Sequence, residues 1–382
     1  MKNTIKVITA IITAGIFCTL SAQAVDYYVD GTNGDDSNAG TSAGAGNAWA
    51  TIGKAMLNRG VVGAGDTIYV ATGTYSEKIQ GTFTGGTSGN PVNLVADGDV
   101  TVTPGDDLAG SQVFYSATDA ASARYWNVSG FTFRYHTTVG NGEVVFGKYD
   151  SARNWTFEDN TFDNLATVWV GVSDNDSITF INNTFDSVNR ITSTTGDNFT
   201  FTSNTVLNSS SGNGINVAVG NVNALISHNI FYDSEGTEVV VRGGSAANPT
   251  DNIKIINNTF WNDGDTLNAI VTAEGDTLTD FLASNNIFVG YNIAHYNHDL
   301  DYTLDASYEF LYSNSTDYSG NWNSGTGDKT GQDPQFLSTT PGDANFMKPS
   351  AVSLASSGGN PAYVSYFGAV QPSSGATVFK FK

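Results

Sequence analysis

The chain contains little cysteine, little proline and few basic residues. Its 382 residues include 1 cysteine, 8 prolines and 16 lysines or arginines against 37 acids, so the net charge is −21. A single cysteine cannot build a disulfide framework, so the fold must rely on a large apolar core, for which the chain is long enough. The shortage of cations argues against nucleic acid as a partner, because phosphate binding needs a basic surface.

The first 24 residues differ from the rest. Lys2 and Lys6 accompany the apolar run VITAIITAGIF, and AQA at 22–24 matches the small-residue rule for signal cleavage. The apolar run is shorter than the roughly 20 residues that a membrane-spanning helix needs. We therefore expect a signal peptide over 1–24, secretion to the periplasm or the extracellular space, and no membrane insertion. Cys18 lies inside this segment, so the exported part has no cysteine.

The remainder is rich in Gly, Asn, Thr and Ser, and only 14% of the whole chain is charged. This composition suits turns and strands better than long helices. Because no linker-like run appears before Ser373, we expect one elongated domain over 25–372 and a tail over 373–382. The segment 47–58, NAWATIGKAMLN, is the one we predict as a helix, and it would cover the open N-terminal end of the domain.

A short phrase close to NTF recurs at intervals of 21 to 29 residues. In each copy an apolar anchor residue ends the phrase, and apolar residues also stand five and seven positions before it. The anchors are Phe133, Phe162, Phe185, Val206, Phe231, Phe260 and Phe288. Two residues before them stand Asn160, Asn183, Asn204, Asn229, Asn258 and Asn286, with Phe131 in the first copy. Alternation of apolar and polar residues before each anchor predicts a strand with one buried face.

Repeats of this length, with short strands and no helical period, predict a β-solenoid. Stacking at the strand spacing of about 4.8 Å would place the asparagines in a column, where each amide both donates and accepts hydrogen bonds. Asn also tolerates the left-handed backbone of a sharp corner. Leucine-rich repeats compete, but their leucine skeleton is missing. Residues 290–345 break the repeat, and we expect a long loop or a C-terminal cap there.

The exported chain resembles the right-handed parallel β-helix superfamily that includes pectate lyases. The resemblance lies in DYYVDGTNGDDSNAGTSAGAGNAWATIGKAM, AGDTIYVATGTY and SGNPVNLVADGDVTVTPG, and in DPQFLSTTPGDANFMKPSAVSLASSGGNPAY near the end. The predicted fold class is all-β: a single-stranded right-handed parallel β-helix with a short N-terminal capping helix, clearest over 124–290. The resemblance implies a secreted carbohydrate-active protein that cleaves an acidic polysaccharide by β-elimination, although a fold does not determine an activity.

A second strand follows each anchor, and its alternation predicts a row of outward residues. These are Glu143, Trp169, Arg190, Thr192, Asn216, Glu238 and Arg242. Arginine holds a carboxylate through two hydrogen bonds, so Arg242 and Arg190 are candidates for binding a uronate, with Asn216 beside them. Trp169 is a candidate platform for sugar stacking. The competing interpretations are a solvated salt-bridge cluster and, for Trp169, ordinary packing.

β-Elimination needs a group that neutralises the uronate carboxylate and a base that removes the α-proton. Arg242, Lys254 and Lys148 are the catalytic candidates, and Tyr149 is a further substrate-site candidate. Lys254 stands on the first strand of its repeat, so it could lie on a different sheet from Arg242. Some β-helix lyases carry a Lys one coil before an Arg-His-Gly strand end; here VVVRGG keeps Arg242 but has Gly243 in place of the His.

Calcium is the cofactor that could replace arginine as the neutralising group. Glu143, in a stretch that loosely resembles a lyase calcium strand, and Glu238 are the candidate ligands. The segment 30–40, DGTNGDDSNAG, is rich in oxygen ligands but lacks the final Glu of an EF-hand, and a polar loop explains it equally well. His295 and His298 form only a weak transition-metal pattern with Asp299.

Two functions therefore stand beside the lyase. A non-catalytic β-helix that binds glycan, or acts as an adhesin or structural rod, is favoured by the missing Lys and His. A hydrolase would need the carboxylates of Glu143 and Glu238, which would lie about 19 Å apart and are too distant for either hydrolytic mechanism. In all cases we expect a monomer, and an acidic polysaccharide is the expected partner.

Overall fold

The structure is a computed structural model. It describes residues 23–58, 60–104, 111–116, 123–135, 142–143, 153–170, 177–194, 197–209, 214–264, 267–273, 277–298, 303–323 and 325–372. Nearly all of the predicted signal peptide, the tail 373–382, Lys148 and Tyr149 lie outside the described residues. For Glu143 the backbone is described and the side chain is not.

The chain winds into stacked coils whose strands form three columns, with each strand parallel to its counterpart one coil away. In the first coils, long strands run through the first and second columns, beside a short initial strand that pairs with the first of them. These strands are Asp26–Val29, Thr67–Ser76, Val92–Thr103 and Arg124–Arg134. The predicted parallel β-helix is confirmed.

Later coils divide these long strands at a corner. The first column continues as Arg153–Glu158, Ile178–Ile181, Thr200–Thr202, Leu225–Ser227, Lys254–Ile256, Leu282–Ser284, Leu304–Ser307 and Trp322–Asn323. The second column continues as Thr161–Asp163, Thr184–Asp186, Thr205–Leu207, Ile230–Tyr232, Thr259–Trp261, Ile287–Val289, Phe310–Tyr312 and Lys329–Thr330. The third column consists of Ser111–Gln112, Gly142–Glu143, Thr167–Val170, Arg190–Thr194, Ile215–Val217, Val239–Arg242, Asn268–Ala273, Ile293–Asn297 and Thr316–Ser319.

The remaining elements are short. Two parallel pairs lie outside the columns, Ile79–Gly81 with Phe114–Ser116 and Thr250–Asp251 with Leu278–Thr279. The helices of the described chain are Ile52–Leu57 and a 3-10 turn at Leu354–Ser356. Within the described residues, no helix has the length and apolar character needed to cross a membrane.

The N-terminal helix covers the first coils as predicted, but it is shorter than 47–58. It begins after Thr51, whose hydroxyl accepts a hydrogen bond from the Lys54 N–H. The Glu77 carboxylate accepts hydrogen bonds from the N–H groups of Ile52 and Gly53, which would otherwise have no partner at the start of a helix. Ile52 packs into the core with no exposed surface.

The predicted asparagine column is present. From Asn160 to Asn258, each column Asn donates its backbone N–H (2.8–3.0 Å) and its side-chain amide (2.9–3.1 Å) to the Oδ1 of the next, and Asn286 is the last of these acceptors. In the first copy Phe131 supplies only its backbone N–H, to Asn160 Oδ1, so no amide is needed at that end. The anchors stack beside this column, with ring centroids 4.8 Å apart for Phe162 and Phe185.

One detail of the predicted corner was wrong. The left-handed backbone belongs to the residue before each column asparagine, with φ between 56° and 61°. These residues are Asp159, Asn182, Ser203, His228, Asn257 and Asn285. The column asparagine itself does not have positive φ, and its side chain points into the core toward the next coil. The left-handed backbone and the side-chain hydrogen bonds, both predicted for one asparagine, therefore belong to two neighbouring residues.

Residues 290–345 do not form one long loop, because all three columns continue into this segment. Their last strands are Thr316–Ser319, Trp322–Asn323 and Lys329–Thr330. Leu311 pairs with Phe288 at the anchor position, and Glu309 occupies the asparagine position two residues earlier. The repeat was missed because both diagnostic residues are replaced. Beyond it, residues 333–372, here called the C-terminal segment, pack on the outer face of the second column. Phe367 lies against Phe310, with ring centroids 5.6 Å apart.

Candidate functional site

Most of the predicted site residues belong to the third column. Its side chains do not simply alternate between inward and outward along each strand. Near the start of its strands, two successive residues are buried. Examples are Glu238 with Val239 and Ala294 with His295. The chain enters each strand from a corner, so both side chains face the interior before alternation begins. The predicted outward direction of Trp169 and Glu238 was therefore wrong.

Trp169 is a core residue. It is 0% exposed, and its ring meets that of Phe157 in an edge-on arrangement with centroids 6.2 Å apart. Ordinary packing, the competing interpretation, is the correct one. A sugar cannot stack on this ring.

Glu238 is also fully buried, and it does not share a face with Arg242. Its Oε2 accepts a hydrogen bond from the Ser234 hydroxyl and its Oε1 from the Tyr291 hydroxyl, both at 3.0 Å. Burial raises the pKa of Glu238 to about 7, although both hydrogen bonds act in the opposite direction. A buried carboxyl whose two oxygens are engaged by hydroxyls does not fit the role of a calcium ligand.

The other residues considered as metal ligands have structural roles. Asp30 and Asp35 accept backbone N–H groups of their own loop, and Asp36 accepts those of Ala50 and Thr51, as expected for a polar loop. His295 lies in the core with its ring stacked on Tyr318, away from solvent. Among the described residues, no three His, Asp or Glu side chains are placed to hold a metal ion.

The two basic candidates lie on different columns. Lys254 is in the first column, between Leu225 and Leu282 of the adjacent coils, whereas Arg242 ends a strand of the third column. They cannot act on the same sugar. The position of Lys254 on the first strand of its repeat already suggested that the two residues lie on different sheets. Arg190 is exposed and begins a third-column strand, and the register of the intervening coils places it at the opposite strand end from Arg242.

The middle of the third column's outer face is nearly closed to solvent in two adjacent coils. Asn216 lies between inward-facing neighbours, as predicted, but only 7% of it is exposed. Val240, its partner in the next coil, is 5% exposed. The Asn216 Oδ1 has no hydrogen-bond partner among the described residues. In these two coils, contact with a polymer would therefore fall mainly at the ends of the strands.

One end of the face brings Arg242 into line with two aromatic residues. Arg242 pairs with Ala273, and the register of the next pair places His298 beside Ala273. Tyr296 lies on the same face, with its ring 5.4 Å from the His298 ring. Small Ala273 lies between Arg242 and His298, whose backbones are about 10 Å apart by strand spacing. We call Arg242, Val271, Ala273, Tyr296 and His298 the notch.

The notch brings together the two requirements of β-elimination. Arg242 is half-buried and carries a permanent positive charge that can hold a carboxylate. His298 is exposed, and His298 and Tyr296 are residue types that transfer protons. Sequence reasoning did not place these two with Arg242, because loops of unequal length separate the three strands. Only the register of adjacent coils aligns them.

No family model and no curated protein matches the chain. Among solved structures, the complex of XylC with xylose superposes with a TM-score of 0.52, at 11% identity, over 77% of this chain and 70% of that chain. Pectate lyase Pel9A aligns over 92% of this chain and 97% of its own, at 15% identity and a TM-score of 0.47. A rhamnogalacturonan lyase aligns over 85% and 96%, at 15% identity and a TM-score of 0.46. At such identities the likeness concerns the fold alone, a parallel β-helix.

Proposed function

We propose that the protein is a secreted polysaccharide lyase that binds a uronate-containing glycan at the notch. The observation that carries this proposal is the alignment of Arg242 with His298 and Tyr296 on one outer face. In the described third-column strands, Arg190 and Arg242 are the only lysines or arginines, on a chain whose net charge is −21. A cationic side chain on an acidic chain is complementary to the carboxylate of a ligand.

The proposed chemistry has three parts. Arg242 holds the uronate carboxylate through two hydrogen bonds and offsets the negative charge that grows as the α-proton leaves. The imidazole of His298 takes that proton, and the electron pair of the C–H bond forms the new C=C bond. The glycosidic C–O bond breaks at the same time, and the leaving oxygen takes a proton from the Tyr296 hydroxyl.

Turnover is tested by incubating the purified protein with alginate, pectate and glycosaminoglycans and following the ultraviolet absorbance of the unsaturated uronate. We expect Arg242→Ala to lower kcat/KM by a factor of about 10² to 10³, as removal of a charge-stabilising group does. His298→Ala should lower kcat with a smaller effect on KM. Lys254→Ala is the matched control, because this lysine lies on another column and its loss should leave activity unchanged.

The proposal fails if the wild-type protein has no activity on any of these glycans, with and without Ca²⁺, or if Arg242→Ala is as active as the wild type. The second candidate is a non-catalytic glycan-binding protein. It is favoured by the lack of a lysine beside Arg242 in the described third column. Glycan binding by the wild type without any rise in absorbance would support this alternative.

A further inference from the structure

A concave site lies at the corner between the second and third columns, at the opposite end of the third-column strands from the notch. It is a cavity of about 390 Å³, which we call the corner pocket. Its main lining residues are Asn208, Asp233, Ser234, Glu235, Asn262 and Leu267. The volume is sufficient for a small ligand.

The floor of the corner pocket is rigid. Ser234 is 4% exposed and Asn262 is 5% exposed. The Asn262 amide donates to the Ser234 carbonyl at 2.8 Å, and Asn262 Oδ1 accepts the Gly264 N–H at 2.8 Å. The Ser234 hydroxyl donates to buried Glu238. The polar groups of the floor therefore hold one another in place, and the surface that they present to a ligand is fixed in advance.

The rim presents hydrogen-bond acceptors. Asp233 and Glu235 are exposed, and their carboxylates make no hydrogen bond to any described residue. The Asn208 amide donates to Asp186, which leaves its Oδ1 as the free group. No lysine or arginine is among the described lining residues. A ligand that satisfies this rim must supply several donors and carry no negative charge, and half-buried Leu267 offers one apolar contact.

We propose that the corner pocket binds a neutral sugar unit. Sugar hydroxyls are donors that carboxylates accept well, whereas a uronate would meet two carboxylates without an intervening cation. A metal ion is the less suitable occupant, because the described residues contain no group of three acidic or histidine side chains arranged as ligands.

The position of the corner pocket also indicates the class of glycan. Six residues of one strand separate Leu267, in the pocket, from Ala273, in the notch, which is about 20 Å at the rise of an extended chain. One oligosaccharide can therefore reach both sites. The glycan would be a heteropolysaccharide that contains neutral sugars as well as uronates, and this last step rests on the proposed function of the notch.

The test is calorimetric titration with two kinds of probe: neutral gluco-, manno-, galacto- and xylo-oligosaccharides, and the uronate oligosaccharides of alginate and pectate. The double variant Asp233→Asn, Glu235→Gln keeps the shape of the rim and removes its charge, and Asn tolerates the positive φ of 54° at position 233. We expect this variant to weaken the binding of a neutral oligosaccharide about tenfold, and to strengthen binding of the uronate probes.

Arg242→Ala is the control that separates the two proposals. It should leave neutral-sugar binding unchanged and weaken uronate binding. The corner-pocket proposal is overturned if no neutral oligosaccharide binds the wild type, if the double variant binds it equally well, or if binding appears only after Ca²⁺ is added. If Arg242→Ala has no effect on uronate binding, the notch proposal fails and the corner-pocket result stands by itself.

Discussion

Asn286 donates its backbone N–H at 2.8 Å and its side-chain amide at 3.1 Å to the carboxyl group of Glu309. This carboxyl group ends the asparagine column inside the core, where Glu309 is 0% exposed. Burial raises the pKa of Glu309 well above its ordinary value. His295 Nε2 is 3.9 Å from Glu309 Oε1, but burial lowers the pKa of His295 to about 3. Burial therefore favours the neutral form of both groups and opposes an ion pair between them.

We expect two substitutions of Glu309 to lower the free energy of unfolding by different amounts. Glu309→Ala leaves both Asn286 donors without an acceptor and opens a cavity, so we expect the free energy of unfolding to fall by about 3 kcal/mol. Glu309→Gln keeps an acceptor oxygen at the same reach and should lower it by about 1 kcal/mol or less. Urea unfolding at pH 7 measures both. Equal losses for the two variants would contradict this account.

Asn204, in the middle of the column, should be more sensitive. It accepts two hydrogen bonds from Asn183 and donates to the Phe180 carbonyl and to Asn229. Asn204→Ala leaves several buried groups unsatisfied, and we expect a loss of about 4 kcal/mol in the free energy of unfolding. Thr205→Ala, on the outer face of the next strand, is the control and should lose less than about 1 kcal/mol. Similar values for the two would show that the column contributes little.

Glu238 predicts a dependence of stability on pH. Its pKa is about 7 in the folded protein and 4.5 as its ordinary value. Between these two values the folded state holds the proton and the unfolded state releases it. The contribution of Glu238 to stability is therefore greatest below about pH 4.5 and falls as the pH rises to 7. The loss from this one group is about 3 kcal/mol.

Glu238→Gln should remove this part of the pH dependence, and urea unfolding at pH 5 and pH 8 measures it. Glu235→Gln, an exposed carboxyl nearby, is the control and should keep the wild-type slope. Glu309 and Asp328 also have raised pKa values and act in the same direction, so the difference between variants is the relevant quantity. If Glu238→Gln keeps the wild-type slope, Glu238 does not titrate as described.

Substitutions of Trp169 test whether its side chain faces the core, as the structure shows. Because the ring is fully buried, Trp169→Ala should lower the free energy of unfolding by about 4 kcal/mol, and Trp169→Phe by less. Glycan binding, measured well below the unfolding transition, should be unchanged in Trp169→Phe. Loss of binding in a Trp169→Phe protein that remains folded would restore this residue as a sugar contact.

The fold was predictable because its main signal is local and periodic. The anchors and asparagines recur at nearly constant intervals, and side chains one coil apart must become neighbours in any stacked solenoid. The repeat was not recognised where other residue types occupy the asparagine and anchor positions. Glu309 performs the role of an asparagine, and Leu311 that of a phenylalanine, so residues after 290 were not recognised as further coils.

The site was less predictable for two physical reasons. Alternation assigns directions correctly only inside a strand, and Trp169 and Glu238 stand where the chain leaves a corner, so both turn inward. The alignment of Arg242, Ala273 and His298 depends on the lengths of the loops between their strands. The expected separation of Lys254 from Arg242 was correct, because it depends only on which strand of the repeat each residue occupies.

The amino-acid sequence by itself determined the coil, its stacked core and the asparagine column, since these follow from contacts between equivalent positions of neighbouring repeats. Only the tertiary structure decided which charged residues face solvent and which share a surface. A solenoid brings together residues from different coils, and their register depends on every intervening loop. Hydrophobic periodicity therefore encodes the architecture, whereas the notch and the corner pocket arise from how the loops set one coil against the next.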